Sequence, residues 1–271
     1  MCFDKLSMSG VGGRGMGNSG KEKCTMDRLI YTAVSGMNAS MMRQRVIASN
    51  MANSQTIGFR AETLEFTPMT LDGPSLEARS MTSGEVRGAV MRAGSFTHTG
   101  RELDLAMTGE TLLTVQAQDG GEAYTRRGDL SVSATGLVQN GEGLPVMGEN
   151  GPITVPAGSR ISIAPDGAVM VSNPQTPDQP PVQLERLKLA NYRGTQIVKD
   201  LAGLFRAPGG GVLPLDEDAR VQVGALELSN VNPTEVLVEM VEAQRLYDMR
   251  TKLVATAKEL DEGGAQLMRM S

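Results

Sequence analysis

Residues 232–260 read NPTEVLVEMVEAQRLYDMRTKLVATAKEL, and this stretch decides the fold. Asn232 offers a side-chain oxygen to the unpaired amides of a helix start, and Pro233 stands at the first helical position, where its missing N–H costs nothing. Glu235, at the third position, can reach back to complete a capping box. Val236, Met240, Ala243, Leu246, Met249, Leu253, Ala257 and Leu260 then recur every three or four residues. One face of the predicted helix is therefore apolar over about seven turns, roughly 40 Å at 1.5 Å per residue.

The other end of the chain mirrors it. In DRLIYTAVSGMNASMMRQRVIASNMAN (27–53), Ile30, Val34, Met37, Met41, Ala48 and Met51 keep the same spacing, with Gln44 in the one polar gap. Asp27 is the expected N-cap. Both stripes are narrow and near-heptad, and two such helices leave each other half exposed. Folding onto the rest of the chain would cover them, as would bundling with other copies. The near-heptad spacing favours helical partners, and an intramolecular core stays open as the alternative.

Between the helices the pattern changes to period two. TLLTVQA (111–117) and EAYTRR (122–127) flank Asp119-Gly120-Gly121 as a hairpin, and RISIA (160–164) with AVMV (168–171) flank Pro165-Asp166-Gly167 as a second. Asn140-Gly141 and Asn150-Gly151 mark further turns, and the four prolines of SNPQTPDQPP (172–181) make an exposed loop before a strand at 182–190. The expected class is α+β: long terminal helices packing together as a coiled-coil-like core, with an all-β middle of short strands.

Composition excludes several functions. A net charge of −5 gives no cationic field for a nucleic-acid backbone, and aromatics at 3% are too few for stacking platforms. One histidine and two cysteines cannot assemble a zinc site. His98 lacks a nucleophile and a carboxylate partner in its surroundings, so it reads as a surface residue. The run Asp216-Glu217-Asp218 lacks the spacing of a calcium loop. No apolar run is long enough for a membrane span. Catalytic, cofactor and metal residues are accordingly expected to be none, with no small-molecule substrate.

Residues 1–25 hold both cysteines and a cluster of glycines without apolar periodicity, and read as a disordered extension ahead of Met26, the expected true start. Gly15 to Lys21 match the opening of a phosphate-binding loop and give the rival reading, an NTPase. Glu22 stands where a magnesium-holding hydroxyl belongs, and no strand precedes it. A β-domain adhesin, the third reading, would need an exposed aromatic or charged face on the middle strands, and none is visible.

Particular residues now resemble a family. Asp27 to Met37 is similar to the opening of bacterial flagellar rod and hook proteins, and Ala48-Ser-Asn50-Met-Ala-Asn53-Ser-Gln-Thr56-Ile-Gly58-Phe59 resembles their "ANNLAN…T.GF" signature. Ser229-Asn230-Val231-Asn232-Pro233, with Glu239-Met240 and Gln244-Arg245, resembles their C-terminal helix. Thr99 to Ala106 and Ala123 to Gly128 resemble two motifs of the middle. Gly109 to Leu113 departs where the family has a glycine followed by two aromatics. The short middle and the ending most resemble proximal-rod members, with distal-rod members next.

The resemblance implies an axial building block that self-assembles through its terminal helices into a helical tube. It implies partners among other copies and other flagellar rod proteins, and a place in the basal body. It also implies export through the flagellar type III apparatus without a cleavable signal. The interface expected from the stripes comprises Ile30, Val34, Met37 and Met41, with Val236, Met240, Ala243, Leu246, Leu253, Ala257 and Leu260. The expected divisions are 1–25, 26–66 for helix and extended segment, 67–225 for the β-rich middle, and 226–271 for the returning helix. Asn50 and Asn53 are expected to cap backbone groups or form subunit contacts, and Gly58 to supply a conformation that a Cβ resists.

Overall fold

The computed structural model describes residues 19–70, 80–156, 158–173, 179–200 and 202–269, without side-chain detail at 19–32, 66–70, 80–87, 260, 261 and 264–269. Residues 1–18, including Gly15 and most of the loop-like motif, lie outside the described residues, as do the side chains of Ile30 and Leu260.

Two long helices dominate the ends of the chain. α1 (Ser19–Ala52) has 34 residues and spans about 50 Å at 1.5 Å per residue. It starts earlier than expected: Asp27 lies inside it rather than capping it, and Ser19 to Thr25 are helical rather than part of a disordered extension. The run Lys21-Glu22-Lys23 explains the difference, since straight-chain residues lose little rotamer freedom in a helix.

The strands follow in chain order. They are β1 (Glu62–Thr70), β2 (Ser80–Ala89), β3 (Phe96–His98), β4 (Leu105–Met107), β5 (Thr111–Gln116), β6 (Glu122–Thr125), β7 (Leu130–Val132) and β8 (Val138–Asn140). After them come β9 (Arg160–Ile163), β10 (Ala168–Ser172), β11 (Val182–Arg186), β12 (Leu189–Asn191), β13 (Val198–Lys199), β14 (Phe205–Arg206), β15 (Val221–Val223) and β16 (Ala225–Glu227). α2 (Pro233–Arg269), of 37 residues, closes the chain.

Both expected hairpins are present. β5 pairs with β6, Leu113 opposite Thr125, and β9 pairs with β10, Ile163 opposite Val169. Aspartate side chains close the two turns: Asp119 accepts from the Gly121 amide at 3.0 Å, and Asp166 from the Ala168 amide at 3.1 Å. The single strand expected over 182–190 is instead two, because the chain changes sheets at Leu187. β11 pairs with β10, whereas β12 joins the five-stranded sheet β12-β5-β6-β14-β13. β1 and β2 form a long antiparallel hairpin that runs through residue 66.

β5 is buried on both faces, which explains why its apolar pattern is nearly continuous. Leu113 and Val115 enter the main core with Leu105, Val146, Ile153 and Leu187. Leu112 faces the other way, against Tyr124, Ala190, Phe205 and Leu213. A third cluster gathers Ile47, Val231, Val236 and Ala243, with Met51, Phe59 and Met240 packed on it.

That third cluster joins the base of α1 to the base of α2. Farther out, the Arg250 guanidinium donates to the Gly36 carbonyl and the Ser40 hydroxyl. Residues 36–40 thus meet 250 while Ile47 meets 236–243, so the helices pack side by side in opposite directions.

Candidate joint between the helices and the β body

α1 ends in a chain of local hydrogen bonds that uses the residues of its own last turn. Asn53 Nδ2 donates to the Ser49 carbonyl at 2.9 Å, and Asn53 Oδ1 accepts from Thr56 Oγ1 at 3.1 Å. The chain then turns at Gly58, whose φ of +69° is costly for a residue with a side chain. Space is lacking as well, since a Cβ there would lie 2.4 Å from the Arg126 carbonyl carbon. The Gly58 amide donates to the Glu227 carbonyl at 2.8 Å, which stitches the exit from α1 to the strand that leads into α2.

Two motif asparagines hold the next residues. Asn50 accepts from the Glu62 amide at 2.7 Å and donates to the Glu62 carbonyl at 3.1 Å, so its amide group acts like one more strand residue beside β1. Asn230 accepts from the Ala61 amide at 2.7 Å and donates to the Val90 and Arg92 carbonyls at 2.6 and 2.9 Å. Each side chain satisfies backbone groups that no strand partner reaches. Asn232 caps α2 as expected, accepting from the Thr234 amide at 3.1 Å.

Beneath these lies a buried charge cluster. Glu227 Oε1 accepts from Arg60 Nη2 at 2.6 Å and from the Gly94 amide at 2.9 Å, while Oε2 accepts from Arg126 Nε at 2.8 Å. Arg126 spends its remaining donors on the Met107, Gly109 and Thr111 carbonyls, all at 2.8 Å. Burial pulls the Arg126 guanidinium down from its ordinary range, and Glu227 opposes that shift. Arg60 differs: its Nε and Nη1 are buried with no hydrogen-bond partner among the protein groups.

Lys199 completes the joint. Its ammonium donates to the Arg60 carbonyl at 3.1 Å and to Glu62 Oε1 at 3.2 Å, and stands 3.6 Å from the centre of the Phe59 ring. Burial holds this ammonium below the usual lysine range, with Glu62 opposing.

Of the stripe residues, Val236, Met240 and Ala243 come together in the third cluster. Met37, Leu246 and Ala257 are half-buried, whereas Val34, Met41 and Leu253 are exposed. His98 is exposed on β3, and Asp216 accepts from Thr111 Oγ1 and Asn191 Nδ2. Among the described residues no group of His, Cys, Asp or Glu is arranged to hold a metal ion. Arg126 was marked in the sequence only as part of the Ala123 to Gly128 motif, and Arg60, Lys199 and Glu227 were not singled out. Their one signal is a glutamate inside the apolar run of residues 225–228, and nothing in its spacing points to arginines 167 and 101 residues away.

Three family models match this chain: flagella basal body rod protein over residues 30–60, the D1 domain of the flagellar hook protein FlgE/F/G over 106–171, and the C-terminal part of the flagellar basal body rod FlgEFG proteins over 222–267. The joint draws on all three segments, with Asn50, Gly58 and Arg60 from the first, Arg126 from the second, and Glu227, Asn230 and Asn232 from the third. The flagellar basal-body rod protein FlgF of Salmonella typhimurium is 39% identical over 252 residues, 91% of this chain and 100% of its own. FlgF of Escherichia coli is 37% identical over the same shares, and FlgG of Bacillus subtilis is 29% identical over 87% of this chain and 97% of its own.

Proposed function

Because the chain belongs to the flagellar basal-body rod protein family and is a structural rod subunit, we propose that it builds the proximal rod by assembling through α1 and α2 into a helical axial tube that transmits torque from motor to hook. The observation that carries this reading is the one-sided burial of the helix pair. Each helix covers one flank of the other, and Val34, Met41 and Leu253 stay in solvent on the flanks left open. Neighbouring helices would bury them as a coiled-coil-like core, with the β body turned outward.

The proposal divides the chain at 26–66, 67–225 and 226–271, and takes the stripe residues of both helices as subunit contacts. Its partners are other copies, other rod proteins and the flagellar type III export apparatus, which would pass the chain from the cytoplasm to the periplasmic rod without a cleavable signal. The likeness to FlgF over the relatives' whole length supports a structural, non-catalytic role. No described helix is long and apolar enough to cross a membrane. The match to FlgG favours a second reading, a distal-rod position.

Imaging of a tagged chain in purified basal bodies tests both. Density near the membrane-proximal end supports the proximal rod, density next to the hook supports the distal one, and absence from basal bodies refutes the assignment.

A further inference from the structure

The helix pair leaves two open faces of different chemistry. On α1, Val34, Asn38, Met41, Arg45, Ala48 and Ala52 follow at alternating steps of four and three, and all six are exposed. Gly36, Ser40 and Ile47, on the other flank, meet α2. On α2, Val236, Ala243 and Arg250 form the inner seam at steps of seven, while Val238, Glu242, Arg245, Met249 and Leu253 lie on the open side, all exposed. Each open face alternates apolar residues with charge, as a surface meant for another helix does.

The charges have opposite signs on the two helices. From Ala33 to Ala52, α1 carries Arg43 and Arg45 and no carboxylate. From Pro233 to Met249, α2 carries Glu235, Glu239, Glu242 and Asp248 against the single Arg245. Among the described residues neither Arg45 nor Glu242 forms an ion pair within the chain. On the open faces themselves α1 presents Arg45 as its one charge, whereas α2 presents Glu242 and Arg245, with the exposed Glu235 one step earlier in the same row. Two α1 faces or two α2 faces therefore meet with net charge of like sign, and α1 on α2 brings opposite net charges together.

We propose that the open face of α1 on one copy packs against the open face of α2 on a second copy, with Arg45 set opposite Glu242. The proposal rests on the rod-subunit reading and adds the polarity of its contact. Different patches meet, so the contact is head-to-tail, the type that repeats into a helical array when it does not close into a ring. Self-matching faces would stop at a dimer.

Charge exchange in the full chain tests this. Arg45→Glu and Glu242→Arg are each expected to lower incorporation into basal bodies about tenfold, and the combined variant to recover most of it. Arg220→Glu, an exposed reversal on the β body, should incorporate normally. Both helix positions are exposed, so thermal unfolding of the purified variants should match the native chain. Copies bearing Arg45→Cys and copies bearing Glu242→Cys, in a Cys2→Ser, Cys24→Ser background, should form a mixed disulfide when combined. Single variants that incorporate normally would overturn the proposal, as would a combined variant no better than its parents, or a disulfide formed only to a different axial protein. Absence of the native chain from basal bodies would instead sink the rod reading itself.

Discussion

Arg126 and Glu227 meet out of water, the arginine placing Nε at 2.8 Å and Nη2 at 2.7 Å from the same carboxylate oxygen. Arg60 takes the other oxygen, so one carboxylate holds two guanidinium groups at the point where both helices enter the β body.

Removing the carboxylate charge would strand two buried cations. Glu227→Gln should therefore cost about 3–5 kcal/mol of stability in denaturant unfolding of the full chain. The arginines are unequal: Arg126 satisfies five acceptor contacts, whereas Arg60 carries buried donors without a protein partner. Arg126→Met is expected to destabilise more than Arg60→Met. Equal losses would mean that the hydrogen bonds of Arg126 to residues 107–111 contribute nothing beyond charge.

Two glycines should respond oppositely to the same change. Gly58→Ala combines a positive φ with a backbone clash at 2.4 Å, and should cost more than about 2 kcal/mol. Gly36 lies inside α1, and a Cβ there would sit 3.7 Å from the Arg250 guanidinium, an ordinary contact. Gly36→Ala should be neutral, or stabilising by up to about 1 kcal/mol through helix propensity. Thermal unfolding of both variants decides it, and a destabilised Gly36→Ala would show the helix seam to be tighter than this geometry.

The joint is the region where sequence reading went half way. Asn50, Asn53, Gly58 and Asn232 were legible because polar or small residues at helix ends advertise backbone work, Asn230 was marked only by the motif it shares with the family, and the helix starting at Pro233 was legible from its cap. Arg60 and Lys199 were not, since each is a common surface residue whose burial depends on strands far away in the chain. The early start of α1 was missed because a good cap at Asp27 does not prevent a helix from continuing through Lys21 to Lys23. The stripe of α2 was read as one face, and the structure separates it: Val236 and Ala243 turn inward, whereas Met249 and Leu253 turn out. A periodic pattern fixes the spacing of apolar residues but not which partner each side faces.

Lys199 predicts a pH dependence. Its folded pKa lies below 10.5, the ordinary lysine value, chiefly through burial. Between those two values the unfolded chain holds more protons, so this residue's contribution to stability rises with pH through that window and is lost as pH falls through the folded value. Tyr124 and Tyr192 are shifted upward by burial and act in the opposite sense, losing stability as pH rises. The stability difference between native chain and Lys199→Met isolates the lysine. Relative to the variant, the native chain should gain stability on going from neutral pH towards 10.5, and a flat difference would show that the ammonium is not desolvated.

The two flanks of α2 can be separated by one kind of substitution at two places. Ala243 is 5% exposed and packs with Ile47 and Val236, so Ala243→Glu would bury an unpaired charge within the monomer and should cost several kcal/mol. Leu253 is 68% exposed, so Leu253→Glu should leave monomer stability within about 0.5 kcal/mol. In an assembled rod the same glutamate would face a neighbouring helix, and the penalty would recur at every added subunit, so incorporation into basal bodies should fall steeply. Thr251→Glu, exposed and two residues away, should assemble nearly normally. The measurements are denaturant unfolding of each purified chain and its abundance in purified basal bodies. A Leu253→Glu chain as unstable as Ala243→Glu would mean that this chain itself covers the outer flank. One that assembles as well as Thr251→Glu would mean that no neighbour does.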